Sequence, residues 1–348
     1  MTWMVYGANG YTGALVAERA VAAGERPVLA GRSRDKLEPL ARELGLEHRA
    51  FDLRDAAEHL RDIDAVAHCA GPFSATSAPM VRACLDTRTH YVDITGEIDV
   101  FEAVARRHDD AVAAGVVLLP GAGFDVVPTD CLAALLHRAL PSATHLDLAF
   151  VVGGGASAGT ARTALEGAGS GGRARVDGEI RAVPVGHRKR VAGFRSGPRE
   201  VVAIPWGDVS TAYRSTGIPN ITTFTALPGF AAVAQGALAP LLRLPPVRAL
   251  GKALLGRVVG GPGASTRAKT RAEVWGEVRD DRGNRVQAAL TCPNPYSLTA
   301  DSVVRAITAL TRGPDRVEPG CHTPSSAFGA HYALELDGVV LSEPRAAT

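Results

Sequence analysis

The chain opens on a strand, a glycine turn and a helix in immediate succession, and few folds accommodate that order. Trp3-Met4-Val5-Tyr6 is a short apolar run leading directly into Gly7-Ala8-Asn9-Gly10-Tyr11-Thr12-Gly13. Leu15, Val16, Ala17, Ala20 and Val21 follow at roughly helical spacing. A G-x-x-G-x-x-G loop takes its meaning from that setting. The first glycine permits a tight turn. The middle one lets backbone approach a pyrophosphate with no Cβ in the way, and the last lets the helix pack against the strand. The helix N-terminus then offers N–H groups to phosphate. Gly7, Asn9, Gly10, Tyr11, Thr12 and Gly13 are therefore the first candidate dinucleotide contacts. The bland alternative is a glycine-rich turn that holds no ligand.

The next hundred or so residues repeat the alternation. Strand-like runs at Pro27–Ala30, Ala65–Ala70, His90–Ile94 and Val116–Leu119 are separated by helical patterns over Asp35–Leu44, Pro79–Leu85 and Val100–Ala114. Alternation of this kind predicts βαβ units and a doubly wound parallel sheet with helices on both faces. From about Phe124 the pattern changes. After a helical stretch at Asp130–Leu140, strand-like segments at Leu146–Val152, Gly178–Val185, Glu200–Ile204, Val274–Val278 and Val286–Thr291 follow with few helices between them. That predicts a second, α+β domain on a mainly antiparallel sheet. Gly153–Gly172 reads as a mobile glycine-dense loop with a short helix, and Asp301–Leu310 as a late helix. The expected division is residues 1–125, 126–320 and a C-terminal segment, 321–348, packing back on the first domain.

Bulk properties narrow the function classes. With 38 basic against 36 acidic residues the formal net charge is +2, which leaves no footprint for nucleic acid. Cys69, Cys84, Cys131, Cys292 and Cys321 are scattered without a C-x-x-C pair, which points to reduced thiols in the cytoplasm and to no metal site. A strand beginning almost at Met1 leaves no room for a secretory signal. Ser215–Leu242 carries no charge, yet Pro219, Pro228, Pro240 and several polar residues interrupt it, so it is too broken to span a bilayer. Phe224–Gly260 then mixes apolar runs with Arg243, Arg248, Lys252 and Arg257. It reads as helices on a core with snorkelling basic side chains, or as a lid or peripheral lipid contact.

The cofactor type is written about 20 residues beyond the loop. NAD-selective sites place an acid there to meet the ribose 2′-hydroxyl. Here the second strand ends Leu29-Ala30-Gly31-Arg32-Ser33. An arginine pairs with a 2′-phosphate that an acid would repel, so NADP(H) is favoured over NAD(H). Arg32, Ser33 and Lys36 are the candidate contacts, with Arg32 as a plain solvated residue the alternative. Asp52 closes the third strand toward the adenine end. Ala70, Gly71, Pro72 and Phe73 end the fourth and form a turn of little bulk for the nicotinamide ribose.

These motifs bring a family into view. Through nearly its whole length the chain resembles the saccharopine dehydrogenase-like oxidoreductases, and within them the trans-acting enoyl reductase group. The resemblance rests on the glycine loop, Leu29–Ser33, Cys69–Phe73, His90–Glu97 and Leu119–Pro128, and in the second half on Ser157–Thr160, Trp206–Ala212 and Ser215–Asn220. It implies a Rossmann-type NAD(P)-binding domain, a second domain and reductase or dehydrogenase chemistry. Some such proteins reduce enoyl double bonds for lipid-making synthases, others reduce an imine between amino-acid-like parts, and animal relatives associate with lipid bodies.

Hydride delivery to an enoyl thioester leaves an enolate to be stabilised and protonated. No Tyr-x-x-x-Lys pair exists for this: Thr95 stands four residues after Tyr91, and Ala300 four after Tyr296. Asp125 and Tyr213 are the catalytic candidates. His322 is a further polar residue, and for all three a structural hydrogen bond is the competing role. Asp93, Thr95 and Glu97 either support the nicotinamide or cap the next helix. Ser157 and Thr160 are candidate caps of a helix facing a substrate carbonyl, while Arg162 and Arg173 would serve a carboxylate-bearing substrate. The expected activity is NADPH-dependent reduction of a lipid-like or polyketide acyl substrate, free or carrier-linked, by a cytoplasmic homo-oligomer. The alternatives are a saccharopine- or opine-type amino-acid dehydrogenase and a non-catalytic NADP-binding adaptor.

Overall fold

The structure is a computed structural model that describes residues 1–153, 171–184, 186–226, 261–312 and 317–346. Two compact units divide the chain: Met1–Val127 with Tyr296–Phe328, and Pro128–Pro295 with Gly329–Thr348. The single cuts expected at residues 125 and 320 are thus corrected to an interleaved division. The late helix is longer than its periodicity suggested, running Pro295–Arg312, and it belongs to the first unit. Of the C-terminal segment only residues up to Phe328 join that unit, and the rest supplies a strand to the second.

The first unit is a parallel sheet of β1 (Trp3–Tyr6), β2 (Val28–Gly31), β3 (His48–Ala50), β4 (Ala65–His68), β5 (His90–Asp93), β6 (Val117–Leu119) and β15 (Gly320–Cys321). Its order is β15-β6-β5-β4-β1-β2-β3. Both neighbours of β1 are parallel to it, with Val5 opposite Leu29 on one side and Ala67 on the other. Successive strands are added in one direction from β1 to β3 and in the other from β4 to β6, so the strand order reverses between β1 and β4, the switch point where open sheets of this kind bind ligands. Every residue of β1, β2 and β4 is buried, as a sheet covered on both faces requires.

Two apolar layers cover it. On one face Trp3, Val5 and Leu29 pack with Val16 and Ala20 of α1 (Tyr11–Ala22), Leu37 of α2 (Arg34–Leu44), and Val303 and Ile307 of the helix Pro295–Arg312. On the other, Met4, Tyr6 and Val66 pack with Met80 and Cys84 of α4 (Phe73–Thr87), Val104 of α5 (Ile98–Ala105) and Ala111 of α6 (His108–Ala114). The short helix α3 (Ala56–His59) adds Ala56 to this layer. Helix α4 begins six residues ahead of the expected Pro79, which lies inside it. The stretch expected as one helix over Val100–Ala114 is two.

The second unit carries a nine-stranded, mainly antiparallel sheet. Its main path runs β10 (Lys189–Phe194), β11 (Gly197–Ile204), β12 (Asn220–Thr225), β7 (His145–Val152), β13 (Ala272–Arg279), β14 (Arg285–Cys292) and β16 (Val340–Ala346). The hairpin of β8 (Gly172–Val176) and β9 (Glu179–Val183) branches off at β12, and β12–β7 is the parallel pair. Helix α7 (Val127–Ala139) covers one face: a Cβ on Gly276 would stand 2.7 Å from the Leu136 side chain. The opposite face buries Ala149, Phe224, Trp275 and Ala289, with Ala192 and Phe194 of β10 in the same cluster.

The glycine-dense loop expected over Gly153–Gly172 lies almost wholly outside the described residues, as does Phe224–Gly260 beyond Ala226. Among the described residues no helix is long and apolar enough to cross a membrane, and no group of His, Cys, Asp and Glu could hold a metal ion.

Candidate dinucleotide site

The glycine loop is shaped by what its glycines exclude. Gly7 adopts φ +86°, and a Cβ there would stand 2.8 Å from the Ala70 nitrogen. Backbone N–H groups of Gly7 and Ala8 both donate to the Ala30 carbonyl, at 2.7 and 3.1 Å, tying the loop to the end of β2. Gly13 is held tighter still, because its Cβ would fall 2.3 Å from the Gly7 carbonyl oxygen. Gly10 is different: its Cβ would approach only the Gly7 oxygen, at 3.2 Å. Gly7 and Gly13 are thus fixed by packing, whereas Gly10 opens a side-chain-free approach at the start of α1. Gly10 caps that helix in extended conformation with no side-chain hydrogen bond, so the cap position is bare backbone, the arrangement that accepts a pyrophosphate. Among the two polar residues that follow, Tyr11 packs edge-on against Tyr296 at 4.9 Å, and Thr12 is half-buried.

At the end of β2 the side-chain amide of Asn9 covers Gly31, where a Cβ would lie 2.9 Å from Asn9 Oδ1. No side chain fits at that position without moving Asn9. Arg32 and Lys36 are exposed, and Ser33 is the N-cap residue of α2. Asp52 accepts from the backbone N–H and the Nε of Arg54, at 3.2 and 3.1 Å. It caps the turn Leu53–Asp55 just past β3, and those bonds hold its carboxyl below the ordinary range. Arg54, which motif reading passed over, thereby joins Arg32 as a cation that acts on Asp52.

Past β4, Ala70, Gly71, Pro72 and Phe73 lead into α4 through a cis Gly71–Pro72 bond. Glu97 governs this corner. Its two carboxylate oxygens accept from the backbone N–H groups of Phe73 and Ser74, each at 2.9 Å. The sequence suggests that Glu97 caps its own following helix, but the helix it caps is α4. Thr76 Oγ1 donates to the Ala70 carbonyl at 2.7 Å and anchors the turn from its other side.

Two carboxyls stand at the carboxyl end of β5. Asp93 is fully buried, and it accepts from Tyr91 Oη at 2.6 Å, Thr95 N at 2.9 Å and Gly121 N at 2.8 Å. Burial pushes it up to about 6, against the pull of those three donors. Asp125 is half-buried beside Gly96, whose Cβ would lie 2.8 Å from Asp125 Oδ2. Desolvation pushes Asp125 up to about 6 as well. A carboxyl so placed holds a proton more readily than one in water, which is what a general acid requires.

The remaining candidates lie elsewhere in the chain. Tyr213, in the second unit, lies on the helix Asp208–Thr216 with the Arg175 guanidinium 4.0 Å above its ring. His322 Nε2 is 2.8 Å from the Glu318 carbonyl, and burial lowers its basicity. Ser157, Thr160 and Arg162 lie outside the described residues, and so does Ser215–Leu242 beyond Ala226.

Comparison with known proteins agrees with this geometry. Residues 3–119 match the family described as the saccharopine dehydrogenase NADP binding domain. A mouse saccharopine dehydrogenase-like oxidoreductase is 32% identical over 150 residues, covering 36% of this chain and 35% of that protein. A trans-acting enoyl reductase of Mycobacterium leprae is 33% identical over 146 residues, covering 39% and 35%. The matched region thus spans about a third of the length of these relatives. In fold, the chain is similar over its whole length to the saccharopine dehydrogenase (L-Glu forming) of Saccharomyces cerevisiae, with a TM-score of 0.65 at 13% identity and 100% of both chains covered. The similarity to the saccharopine dehydrogenase NADP binding domain therefore lies in residues 3–119.

Proposed function

We propose that the chain is an NADPH-dependent oxidoreductase that reduces an enoyl or similar lipid-like acyl substrate. The observation that carries the cofactor half is the end of β2, where Asn9 closes the position over Gly31 and Arg32 follows, exposed and cationic. Support for the acyl half comes from the relation to the trans-acting enoyl reductase and from the uncharged stretch Ser215–Leu242.

The residues divide the work. Backbone N–H groups at the start of α1 hold the pyrophosphate, and the bare Gly10 lets it approach. Arg32, with Ser33 and Lys36 beside it, engages the 2′-phosphate. The turn Ala70–Phe73, fixed by Glu97 and Thr76, shapes the wall by the nicotinamide ribose. The bound dinucleotide supplies the hydride. Asp125, with its proton retained to about pH 6, donates that proton to the carbon next to the thioester carbonyl. The Tyr213 ring is engaged with Arg175 in the second unit and is given no step.

The test is NADPH consumption by the purified chain with enoyl thioesters of increasing length. Turnover that improves with chain length, and falls at least about tenfold in Asp125→Asn, is expected. NADPH binding without turnover of any enoyl thioester or imine would overturn the enzymatic reading in favour of an adaptor.

A further inference from the structure

The second unit carries a cluster of charge that the cofactor site does not use. Arg188, Arg190, Arg279 and Arg285 surround Asp147 and Glu277 at a cavity of about 270 Å³ on the sheet face opposite α7. The two acids are nearly buried, at 8% and 5% exposure. Arg188 grips Asp147 with both terminal nitrogens, at 3.0 and 2.9 Å, and also donates to Thr222 Oγ1 at 2.8 Å. Arg190 bridges the acids: it donates to Asp147 Oδ2, and to Glu277 Oε1 at 3.1 Å. Arg285 reaches the same Glu277 oxygen at 2.8 Å.

The network is short of acceptors. Each guanidinium has five N–H donors; three guanidinium groups share two carboxylates and a fourth, Arg279, stands beside them. Arg190 Nε is buried without a hydrogen-bond partner. Arg279 is exposed at the rim and forms no ion pair with either acid among the described residues. Asp281, beyond β13, accepts from Thr144 Oγ1 at 2.8 Å. Burial and the surrounding arginines also keep His145 and His187 from holding a proton at their usual pH.

The inner guanidinium groups are also held in place. Arg190 lies 4.4 Å over the Trp275 ring and Arg188 5.4 Å over Phe224. Stacking of this kind fixes the plane of the fork before any ligand arrives, so little side-chain freedom is left to lose on binding. At about 270 Å³ the cavity lies at the small end of the roughly 300–1,000 Å³ of pockets for drug-sized ligands, so the occupant is compact. Val191 adds a small apolar wall.

We propose that this cavity binds a compact dianionic oxyanion, a dicarboxylate or a phosphate, through the arginines of β10, β13, β14 and the segment just before β10. Two carboxylates leave two of the four positive charges to be balanced, and paired carboxylate or phosphate oxygens match the guanidinium fork.

Calorimetric titration of the full chain with succinate and, separately, with inorganic phosphate tests this, each against chloride at matched ionic strength. Saturable binding of at least one probe at one site per chain is expected, and the tighter probe identifies the source. Arg279→Ala and Arg285→Ala should each weaken it by about tenfold or more, while Arg42→Ala on α2 should not change it. Arg279 carries no ion pair with Asp147 or Glu277, so its removal leaves the buried network folded. NADPH titration of the same variants should be unaltered, which separates this site from the cofactor reading. Absence of saturable binding to either probe, or equal affinity in both cavity variants, would overturn the assignment.

Discussion

Asn9 places its amide oxygen over Gly31, 2.9 Å from where a Cβ on that glycine would stand. The contact links the glycine loop to the end of β2 and keeps that position clear of the acid an NAD-selective site would use. Gly31→Ala should displace the Asn9 side chain and weaken NADPH binding. Asn9→Gly in the same chain should relieve the clash. A double-mutant cycle by NADPH titration should give a coupling of about 0.5 kcal/mol or more, and strict additivity would show that the contact does not matter.

Gly10 and Gly13 should separate cofactor binding from folding. A methyl on Gly13 meets backbone at 2.3 Å, whereas on Gly10 it meets one carbonyl at 3.2 Å. Gly13→Ala is expected to destabilise the first unit by about 1–3 kcal/mol, the range for overpacking. Gly10→Ala should keep most of the melting temperature and lose NADPH affinity. Thermal melts paired with titration distinguish the two.

Glu97 caps a helix that is not its own. Replacing it with Ala leaves the N–H groups of Phe73 and Ser74 without their carboxylate, at a cost of about 1 kcal/mol. Because these residues continue the Ala70–Phe73 turn, NADPH affinity should fall with stability. Glu97→Gln keeps one acceptor and should fall between the two. Unchanged melting in Glu97→Ala would contradict the capping role.

His68 gives the first unit an acid limit. It is fully buried among Tyr6, Phe73 and Tyr91, and its Nδ1 has no hydrogen-bond partner. Burial lowers its pKa to about 3. The unfolded chain therefore binds a proton that the folded chain refuses between about pH 6.5 and 3, and stability falls with pH there by up to about 1.4 kcal/mol per unit. Asp93 and Asp125, pushed up to about 6, act in the opposite sense: the stability they lend at low pH is lost as pH rises from about 4 through 6. Denaturant melts from pH 7 to 5 should show a shallower acid loss in His68→Phe than in the parent. Parallel curves would remove His68 from the account.

The first unit was legible because its signals are local. Apolar runs of four residues, glycine turns and α2 with its Leu37 and Ala41 face each announce themselves within a dozen residues. The second sheet was legible in part: β7, β9, β11, β13 and β14 fall on the strand-like segments of the sequence, and β8, β10, β12 and β16 do not. β10 buries only Ala192 and Phe194 and β16 is polar or exposed over most of its length, and their places come from pairing with β11 and β14. The helix Pro295–Arg312 has a clear apolar stripe, but its membership in the first unit depends on Val303 and Ile307 joining the core cluster that holds Trp3 and Val5, which no local pattern encodes.

At the candidate site, the glycine loop and the exposed Arg32 just past β2 lie where the spacing expects them. Glu97 was noticed as a capping residue, but its partner lies 24 residues upstream across two strand ends. The arginine cavity left one trace in the sequence. Glu277 and Arg279 are two apart on β13 and so share one face of that strand, and Arg188, just before β10, stands two residues ahead of Arg190. What unites them is register between strands distant in sequence.

The central claim is that an NADP(H)-selective site lies at the glycine loop and the end of β2, and fluorescence titration with NADPH and NADH tests it most directly. The parent chain should bind NADPH saturably and in preference to NADH, and Arg32→Asp should erase or reverse that preference by weakening NADPH. A parent chain that binds neither dinucleotide, or an Arg32→Asp chain with the parent's preference intact, would contradict it.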